Sequence, residues 1–319
     1  METWHASIGE ELNHIDSIIN DAFLLSNAEL SEMCTYVVSS GGKRIRPAMC
    51  VLANRACNGT GDKVLDVAAA FEIIHNATLI HDDINDNAEL RRGRKSLHKE
   101  YTVSKAIIAG DLMFAIGFKL IGSSAEEVIS TVVTATESMA ESEFIQKDFE
   151  HTSNVDEDNY MDIIHGKTAM PICTAAKVGA ILSGADKEHV DAIIKYALSL
   201  GLAFQIIDDI LDVEGDPSNT GKAVGTDILE GKPTIPAIIA MNDAKYGKRL
   251  KEIFTRTDIT DAEVTEALEL IKKTGAVEKC RARAETFAKN AIDALSIIPQ
   301  SRYKDSMIDL SNYVVRRNR

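Results

Sequence analysis

Apolar residues recur along this chain with the spacing of helix faces. Near the N-terminus, Ile8, Leu12, Ile15 and Ile19 follow one another at intervals of three or four residues. Side chains at these intervals lie on one side of an α-helix, so the segment is predicted to be an amphipathic helix. No run with the two-residue period of a strand separates the later segments of this kind, and the pattern therefore predicts a helical protein.

The same period defines the further predicted helices. They cover residues 28–38, 45–57, 64–86, 101–120, 125–150, 157–180, 187–213, 233–241, 246–254, 261–274, 276–294 and 303–316. No Gly/Ser-rich or Pro-rich linker divides them, so we expect an all-α fold in which residues 1–319 form a single helical domain. Gly, Asp and Pro concentrate in the predicted loops 39–47 and 213–233, and the second loop is long enough for a flexible lid.

Composition and charge limit the classes of partner. The chain is 45% hydrophobic with only six prolines, which suits a helical protein with a sizeable core. Its formal charge of −14 argues against general nucleic-acid binding, because a phosphate backbone would be repelled. An anionic substrate would therefore need local clusters of basic residues. Two such clusters are Lys43, Arg44 and Arg46, and then Arg91, Arg92, Arg94 and Lys95.

The cysteines and the N-terminal segment indicate the compartment. Five cysteines include no C-x-x-C pair, which disfavours a zinc site or a disulfide framework and fits a reducing cytoplasm. The segment METWHASIGEELNHIDSI is acidic and lacks an apolar core, so no signal peptide is expected. The longest nearly uncharged stretch, residues 196–207, is too short to span a bilayer. We therefore expect a cytoplasmic protein without a transmembrane segment.

One acidic pattern occurs twice, each time at the end of a strongly apolar predicted helix. HDDIND and IDDILD both contain the spacing D-D-x-x-D. Residues four apart share a helix face, so Asp82 with Asp86, and Asp208 with Asp212, can each approach one ion. A single copy of such a pattern is usually a solvated acidic patch, whereas two copies behind apolar helices favour a metal role.

The chemistry of these carboxylates favours a hard cation. Mg²⁺ prefers oxygen ligands in octahedral geometry, keeps several waters and binds substrate phosphates together with one or two carboxylates. Two such helix ends facing each other would hold ions around a diphosphate. The middle aspartates, Asp83 and Asp209, lie about a hundred degrees around the helix from this face, so we expect their roles to be weaker or indirect.

Basic residues near the first acidic motif have the geometry that a diphosphate requires. Arg91 and Arg92 follow the motif closely, and the planar fork of arginine binds phosphate through two hydrogen bonds. In GGKRIRP the glycines can cap one helix and also let Lys43 approach a phosphate at the start of the next. His75 lies two turns before Asp82 on the same face, where a core role competes with contact to a diphosphate.

Five segments, taken together and in this order, resemble the trans-isoprenyl diphosphate synthases. They are GGKRIRP, FEIIHNATLIHDDINDNAELRRG, GKTAMP, FQIIDDILDVEGD and GTDILEGKPT, and they span residues 41–236. The resemblance implies an isoprenoid synthase-type bundle of long helices around a central cavity, and a homodimer. It implies that an allylic diphosphate (dimethylallyl, geranyl or farnesyl) is joined head to tail to isopentenyl diphosphate, giving a trans-polyprenyl diphosphate.

The resemblance also implies three groups of site residues. The ligands of Mg²⁺, with three ions when substrate is bound, would be Asp82, Asp86 and Asp208, supported by Asp212. The groups that bind isopentenyl diphosphate would be Lys43, Arg46, His75 and Arg92. The groups that bind the allylic diphosphate would be Arg91, Lys167, Thr168, Gln205, Lys222 and Lys232.

The implied reaction agrees with these residue types. Ionising the bond between carbon and diphosphate requires neutralisation of the leaving charge, which Mg²⁺ and lysines supply. The expected catalytic residues are therefore Asp82, Asp86, Asp208, Lys167 and Lys222. The carbocation must be shielded from water in an apolar cavity, where the alkene of isopentenyl diphosphate attacks it. The proton is then lost to the released diphosphate, so no Ser, Cys or His nucleophile is required.

Residues before the first acidic motif are expected to set the length of the product. In the resembled family an aromatic residue four or five positions before the motif stops growth at fifteen carbons, but Thr78 and Ala77 are small. One turn further back lies Ile74, and Phe71 lies about 16 Å below Asp82 by helix rise, where it could close the cavity. Core packing explains Phe71 equally well. We expect a geranylgeranyl (C20) product.

Several alternatives remain open from the sequence. The product could be farnesyl (C15), geranylfarnesyl (C25) or longer, and Met113 or Phe114 on the neighbouring helix could close the cavity instead. A terpene cyclase would share one aspartate motif but would not need the basic residues for a second diphosphate. A non-catalytic subunit of a heteromeric prenyl synthase usually lacks some aspartates, whereas both motifs are intact here.

Overall fold

The computed structural model describes residues 3–215 and 224–317, and these form an almost entirely helical structure. The first α-helices are α1 Gly9–Ala22, α2 Ala28–Val38, α3 Ile45–Ala56, α4 Lys63–Asn85, α5 Leu97–Glu100, α6 Val103–Ile121, α7 Glu126–Asp148 and α8 Glu157–Ile164. The later α-helices are α9 Met170–Leu182, α10 Lys187–Glu214, α11 Thr226–Leu229, α12 Ile235–Met241, α13 Gly247–Phe254, α14 Asp261–Lys273, α15 Ala276–Ala294 and α16 Arg302–Arg316. The expected all-α fold is confirmed.

Shorter elements depart from the predicted pattern. A π-helical segment, His165–Ala169, joins α8 to α9, where one continuous helix was predicted. Two strands, β1 Leu90–Arg91 and β2 Arg94–Lys95, pair antiparallel, although the sequence predicted no strand. Strands of two residues are too short to show an alternating pattern, which is why the hydrophobic period did not indicate them. Short 3₁₀ turns cover Thr3–His5 and Leu295–Ile297.

The chain divides into two compact units, each built from several stretches of sequence. The first unit lies within Met1–Val133, Thr174–Ile194 and Ile297–Met307. The second lies within Thr134–Cys173, Lys195–Ser296 and Ile308–Arg319. The boundaries fall inside helices and not in linkers. A single helical domain of residues 1–319 stays a prediction.

The first unit is built around α4. This helix is buried along most of its length and packs against α1, α3 and α6. Glycines allow α6 to approach α4 closely, because a Cβ atom at Gly110 would overlap His81 and one at Gly117 would overlap Ile74. The partners are seven residues apart on both helices, so the two contacts lie two turns apart along one seam. The seam fixes the helix that ends in the first acidic motif.

The second unit surrounds the C-terminal half of α10. Buried Leu200, Ile206 and Ile210 line one side of this helix, and Gly201 lies directly against the backbone of Ala169 in the π segment. The short apolar helix α12 is buried on most sides and packs against α8, α13 and α15. These contacts fix the second acidic motif next to the π segment.

Two helices of the described chain, α4 and α10, are long and apolar enough to cross a membrane by length and composition. In their most apolar windows, 72% of the residues of α4 and 50% of those of α10 are buried inside the structure. The core helices of globular proteins have the same length and composition. The packing of α4 against α1, α3 and α6 accounts for its apolar character.

Candidate active site

The first acidic motif occupies the C-terminal end of α4. The backbone N–H of Asp86 donates to the carbonyl of Asp82 at 2.9 Å, so the two residues lie one turn apart as predicted. Both are half-buried, whereas Asp83 between them is only 4% exposed. The outer carboxylates are therefore accessible to a bound ion, and the middle one is turned into the protein.

Asp83 forms a salt bridge with Arg91. The arginine Nε donates to Asp83 Oδ1 at 2.8 Å, and Nη2 makes a second contact with the same oxygen. Arg91 sits on β1, opposite Arg94 on β2, in a hairpin whose turn residues Arg92 and Gly93 have φ values of 53° and 76°. This left-handed pair matches a two-residue hairpin turn. The hairpin thus brings the predicted arginine pair back to the acidic motif.

Arg92 joins the two basic clusters of the sequence. Its Nη1 donates to the carbonyl of Gly41 and lies 3.4 Å from Ser40 Oγ. A Cβ atom at Gly42, whose φ is 148°, would lie 3.0 Å from the Arg92 guanidinium. Glycine is therefore required for the close approach of the GGKRIRP loop to the hairpin.

Arg44, in the same loop, has a structural role. Its Nη1 donates to Glu72 Oε1 at 2.6 Å, and its Nη2 lies 3.2 Å from Asp16 Oδ1. Glu72 belongs to α4 and is almost fully buried. Arg44 thus ties the GGKRIRP loop to Glu72 on α4 and to Asp16 on α1.

Positive charge is concentrated around His75 on α4. Burial, followed by the charges of Arg46, Arg92 and Arg91, holds the pKa of His75 well below its ordinary value of 6.5. Burial and the charge of Arg92 lower the pKa of Arg46 to about 10, against the opposing effect of Glu72. Arg46, His75 and Arg92 therefore share one electrostatic environment, and their binding of isopentenyl diphosphate stays a prediction. A bound polyanion would relieve the repulsion among them.

The second acidic motif occupies the C-terminal part of α10. Asp208 Oδ1 accepts from Arg317 Nη2 at 2.6 Å. The Arg317 side chain is 2% exposed, donates to the carbonyl of Phe204 at 2.7 Å and lies 4.0 Å from the centre of that ring. No motif pointed to Arg317, because its partner lies more than a hundred positions away in the sequence.

Asp209 anchors a buried hydrogen-bond network. It accepts from Tyr160 Oη at 2.6 Å and from Gln205 Nε2 at 2.8 Å, and Gln205 Oε1 accepts from Thr168 Oγ1 at 2.8 Å. Burial, with the nearby charges of Asp208 and Asp212, raises the pKa of Asp209 to about 7 despite these hydrogen bonds. The predicted residues Thr168 and Gln205 are therefore neighbours, held by Asp209, for which an indirect role was expected, and by Tyr160, which had no predicted role.

Asp212 caps the short helix α11. Its Oδ1 accepts from the backbone N–H of Thr226 at 3.2 Å and its Oδ2 from that of Asp227 at 3.1 Å. The backbone N–H of Gly225 also donates to the carbonyl of Asp212 at 2.8 Å. Asp212 thus connects the second motif to the segment that leads to Lys232.

Lys167 projects from the π segment. Its ammonium pairs with Glu143 and lies 2.7 Å from Gln146 Oε1, both on α7. These partners were not predicted, although a spacing of three residues places them on one helix face. A π-helical turn inserted between α-helices is common at functional sites, because it redirects side chains without ending the helix.

Lys232 is held in a tight turn. It is 7% exposed, and its Nζ lies 2.9 Å from Glu230 Oε2. The preceding Gly231 has a φ of 66° and lies against the ring of His151, whose backbone N–H donates to the Gly231 carbonyl at 2.8 Å. Lys222, which was predicted to act with Lys232, lies outside the described residues.

The residues predicted to set product length lie on α4. Phe71, Ile74 and Ala77 are buried at 6%, 7% and 0% exposure, and half-buried Thr78 donates to the carbonyl of His75 at 2.8 Å. On α6, Met113 is fully buried. The neighbouring Phe114 is half-buried, with its ring 5.9 Å from that of His81.

The donor sets fit a hard cation that retains other ligands. Within residues 3–215 and 224–317, no group of three or more His, Cys, Asp or Glu side chains could enclose a metal ion. Each motif instead offers two carboxylates one turn apart, and substrate oxygens or water would complete the coordination. Mg²⁺ is commonly bound in this way, since it prefers to keep water and phosphate ligands.

Comparisons with known proteins give one family. A family model described as polyprenyl synthetase matches residues 27–271. An all-trans-nonaprenyl-diphosphate synthase (geranyl-diphosphate specific) of Rhodobacter capsulatus is 34% identical over 316 residues, covering 98% of this chain and 96% of that protein. A geranylgeranyl diphosphate synthase of Methanosarcina mazei is 31% identical over 313 residues, covering 96% of this chain and 95% of that protein.

One solved structure matches nearly the whole length of this chain. The crystal structure of polyprenyl synthase from Caulobacter crescentus, complexed with calcium and isoprenyl diphosphate, matches with a TM-score of 0.95 at 31% identity. The match covers 99% of this chain and 98% of that chain. The names of the two sequence relatives agree on the type of reaction and differ in the length of the product.

Proposed function

This chain belongs to the polyprenyl synthetase family and is a trans-prenyl diphosphate synthase, and we propose that its product is geranylgeranyl diphosphate. In this proposal isopentenyl diphosphate is condensed with an allylic diphosphate, for which dimethylallyl, geranyl and farnesyl diphosphate are the candidates. Each condensation adds five carbons, and growth ends at twenty.

The positive charge beside the first acidic motif carries the proposal of two diphosphate sites. The charges of Arg46 and Arg92 lower the pKa of His75, and the charge of Arg92 also lowers the pKa of Arg46. An anion bound beside these groups would favour their charged forms. With Lys43 they form the group assigned to isopentenyl diphosphate. A terpene cyclase, which ionises a single diphosphate, has no need of this group.

Asp82, Asp86 and Asp208 are assigned to Mg²⁺, with Asp212 in support. When bound, the ions supply charge neutralisation for the departing diphosphate. Arg91, Lys167, Thr168, Gln205, Lys222 and Lys232 are assigned to the allylic diphosphate. Support comes from the fixed orientation of the described members of this group. The Lys167 ammonium is held by Glu143 and Gln146.

The residues of α4 before the motif support a product longer than fifteen carbons. Ala77 and Thr78 leave no aromatic ring one turn below Asp82, and the first large ring in this direction belongs to Phe71. A product longer than twenty carbons is the second candidate. It is favoured by the identity of 34% with a nonaprenyl-diphosphate synthase over nearly the whole chain.

A homodimer is part of the proposal. The face of α6 that does not pack on α4 exposes Val103, Ile107 and Ile108, with exposed fractions of 48%, 42% and 54%. An apolar stripe of this kind is typical of a surface covered by a partner. All five cysteines are free and buried, which supports location in the reducing cytoplasm.

The test is incubation of the purified chain with labelled isopentenyl diphosphate, Mg²⁺ and each allylic primer in turn, followed by chromatographic sizing of the product. Incorporation of label into a C20 diphosphate is the expected result. Ionisation of the primer without incorporation would indicate a terpene cyclase. Absence of activity until a second protein is added would indicate a non-catalytic subunit.

Phe71 is expected to form the floor of the product cavity. Phe71→Ala should lengthen the product beyond that of the wild-type chain, because the removed ring leaves room for further five-carbon units. Thr78→Phe is the complementary variant and should shorten the product to fifteen carbons. Chromatographic sizing with the same primer measures both. A product unchanged by Phe71→Ala would assign the floor to another residue, such as Met113 or Phe114.

A further inference from the structure

We propose that the middle aspartate of each motif is a positioning residue: Asp83 orients Arg91, and Asp209 orients Gln205. The inference rests on the proposed function, because Arg91 and Gln205 are there assigned to the allylic diphosphate. The outer aspartates differ in being half-exposed, whereas Asp83 and Asp209 are 4% and 3% exposed.

In the first motif, Asp83 fixes the plane of the Arg91 guanidinium. Nε and Nη2 both donate to Asp83 Oδ1, so the edge of the guanidinium that these two nitrogens form is occupied by the carboxylate. The remaining nitrogen, Nη1, is on the opposite side of the fork, and we assign it to the allylic diphosphate. The backbone N–H of Ala88 donates to the Asp83 carbonyl at 2.9 Å, which fixes the start of the segment leading to Arg91.

In the second motif, Asp209 determines which end of the Gln205 amide faces Thr168. Asp209 Oδ1 accepts from Gln205 Nε2 at 2.8 Å, so the amide oxygen must point away from the carboxylate. That oxygen accepts the hydroxyl hydrogen of Thr168 at 2.8 Å. The second hydrogen of Gln205 Nε2 then remains for an anionic ligand, while Thr168 holds the amide from its other end. Tyr160 Oη holds the other carboxylate oxygen of Asp209 at 2.6 Å.

The two motifs use the middle aspartate in the same way. In each motif the helix turns the middle carboxylate by about 100° away from the outer pair, into the interior, where it accepts hydrogen bonds from a neighbouring side chain. The hydrogen bonds to the oxygens of the middle aspartate orient one polar side chain of the neighbouring structure. Residues that orient metal ligands from behind are commonly worth about 10- to 100-fold in affinity or activity, and we expect an effect of this size for the middle aspartates.

The first test compares four variants, each with Asp replaced by Asn. Asp83→Asn and Asp209→Asn should lower kcat/KM for the allylic diphosphate by about 10- to 100-fold while the Mg²⁺ concentration for half-maximal activity stays unchanged. Asp82→Asn and Asp208→Asn, the matched controls, should raise that Mg²⁺ concentration. A shift in Mg²⁺ dependence for the middle variants equal to that of the controls would overturn the proposal, as would wild-type kinetics.

The second test is a double-mutant cycle for each pair. If Asp83 acts through Arg91, Asp83→Asn should add little to Arg91→Gln, and Asp209→Asn should likewise add little to Gln205→Leu. Fully additive losses in kcat/KM would overturn the proposed orientation. Should Asp209→Asn fail to fold, Tyr160→Phe replaces it. This variant removes a single hydrogen bond and should lower kcat/KM without changing the Mg²⁺ dependence.

A binding measurement separates this inference from the proposed function. Paramagnetic Mn²⁺ is titrated into each variant in the presence of inorganic diphosphate, and bound metal is measured by its spectrum. The middle variants should bind Mn²⁺ as the wild type does, and the controls more weakly. A wild-type chain that consumes no isopentenyl diphosphate would end the proposed function. Weakened Mn²⁺ binding in Asp83→Asn and Asp209→Asn would end the inference.

Discussion

Aspartates that are adjacent in this sequence have different surroundings because a helix turns by about 100° per residue. Asp82 is half-exposed while Asp83 is buried against Arg91, and the same difference separates Asp208 from Asp209. The spacing of the motifs predicted this difference correctly. It did not predict that Tyr160 holds Asp209 or that Arg317 pairs with Asp208, because these partners are distant in sequence and carry no local signal.

Loss of an outer aspartate should affect metal dependence and turnover while leaving the fold intact. We expect Asp82→Ala and Asp208→Ala each to lower turnover by orders of magnitude at saturating substrate, because each removes an oxygen ligand from the proposed Mg²⁺ site. Circular dichroism should show unchanged helicity. Near wild-type turnover in either variant, or full activity of the wild type in excess chelator, would contradict the two-motif metal site.

The Arg44–Glu72 pair should contribute to stability. Glu72→Gln removes the charge from a nearly buried partner and leaves the Arg44 guanidinium without its closest carboxylate, and it should destabilise the chain by about 3 kcal/mol. Denaturant unfolding measures the change. Glu269→Gln is the matched control, because the exposed pair with Lys273 should be worth less than about 0.5 kcal/mol. Equal losses in both variants would contradict the buried role.

At the level of elements, the hydrophobic period predicted nearly every long helix within a few residues. The segments 28–38 and 276–294, for example, match α2 and α15. The period did not show the hairpin at Leu90–Lys95, whose two-residue strands carry arginines and a lysine in place of an alternating pattern. It also did not show the π segment, because one wider turn hardly disturbs the apolar spacing of a long helix.

The seam between α4 and α6 should tolerate no side chain at Gly117. Gly117→Ala places a methyl group against Ile74, which is 7% exposed and cannot move freely, so we expect a loss of about 1–3 kcal/mol in unfolding free energy. Gly9→Ala is the control. No atom lies within 4 Å of its added Cβ, and the substitution should be neutral or stabilising. A neutral Gly117→Ala would show that the seam can widen.

At the level of the whole molecule, the net charge of −14 directed attention to local basic clusters. Which residues of these clusters face a ligand could not be read from the sequence. Arg44 and Arg46 are two residues apart, yet Arg44 is committed to Glu72 and Asp16 while Arg46 shares the environment of His75 and Arg92.

The exposed apolar face of α6 should be the contact between two copies of the chain. Ile107→Asp combined with Ile108→Asp should convert a dimer into a monomer of 34.8 kDa, because burying the two charges in the contact is unfavourable. Light scattering after size-exclusion chromatography measures the mass. Leu24→Asp, at a position 79% exposed outside α6, is the control and should leave the dimer intact. A wild-type monomer would contradict the proposal.

The π segment makes the number of residues between Tyr160 and Gln205 important. A π turn contains about one residue more than an α turn, so deleting any one residue of His165–Ala169 would rotate α8 by about 100° relative to α9. Tyr160 would then leave Asp209, whichever residue had been removed. The alignment of the buried network therefore depends on the number of residues in this segment as much as on their identity. Single-residue insertions and deletions in the π segment should therefore disrupt the network more than substitutions do.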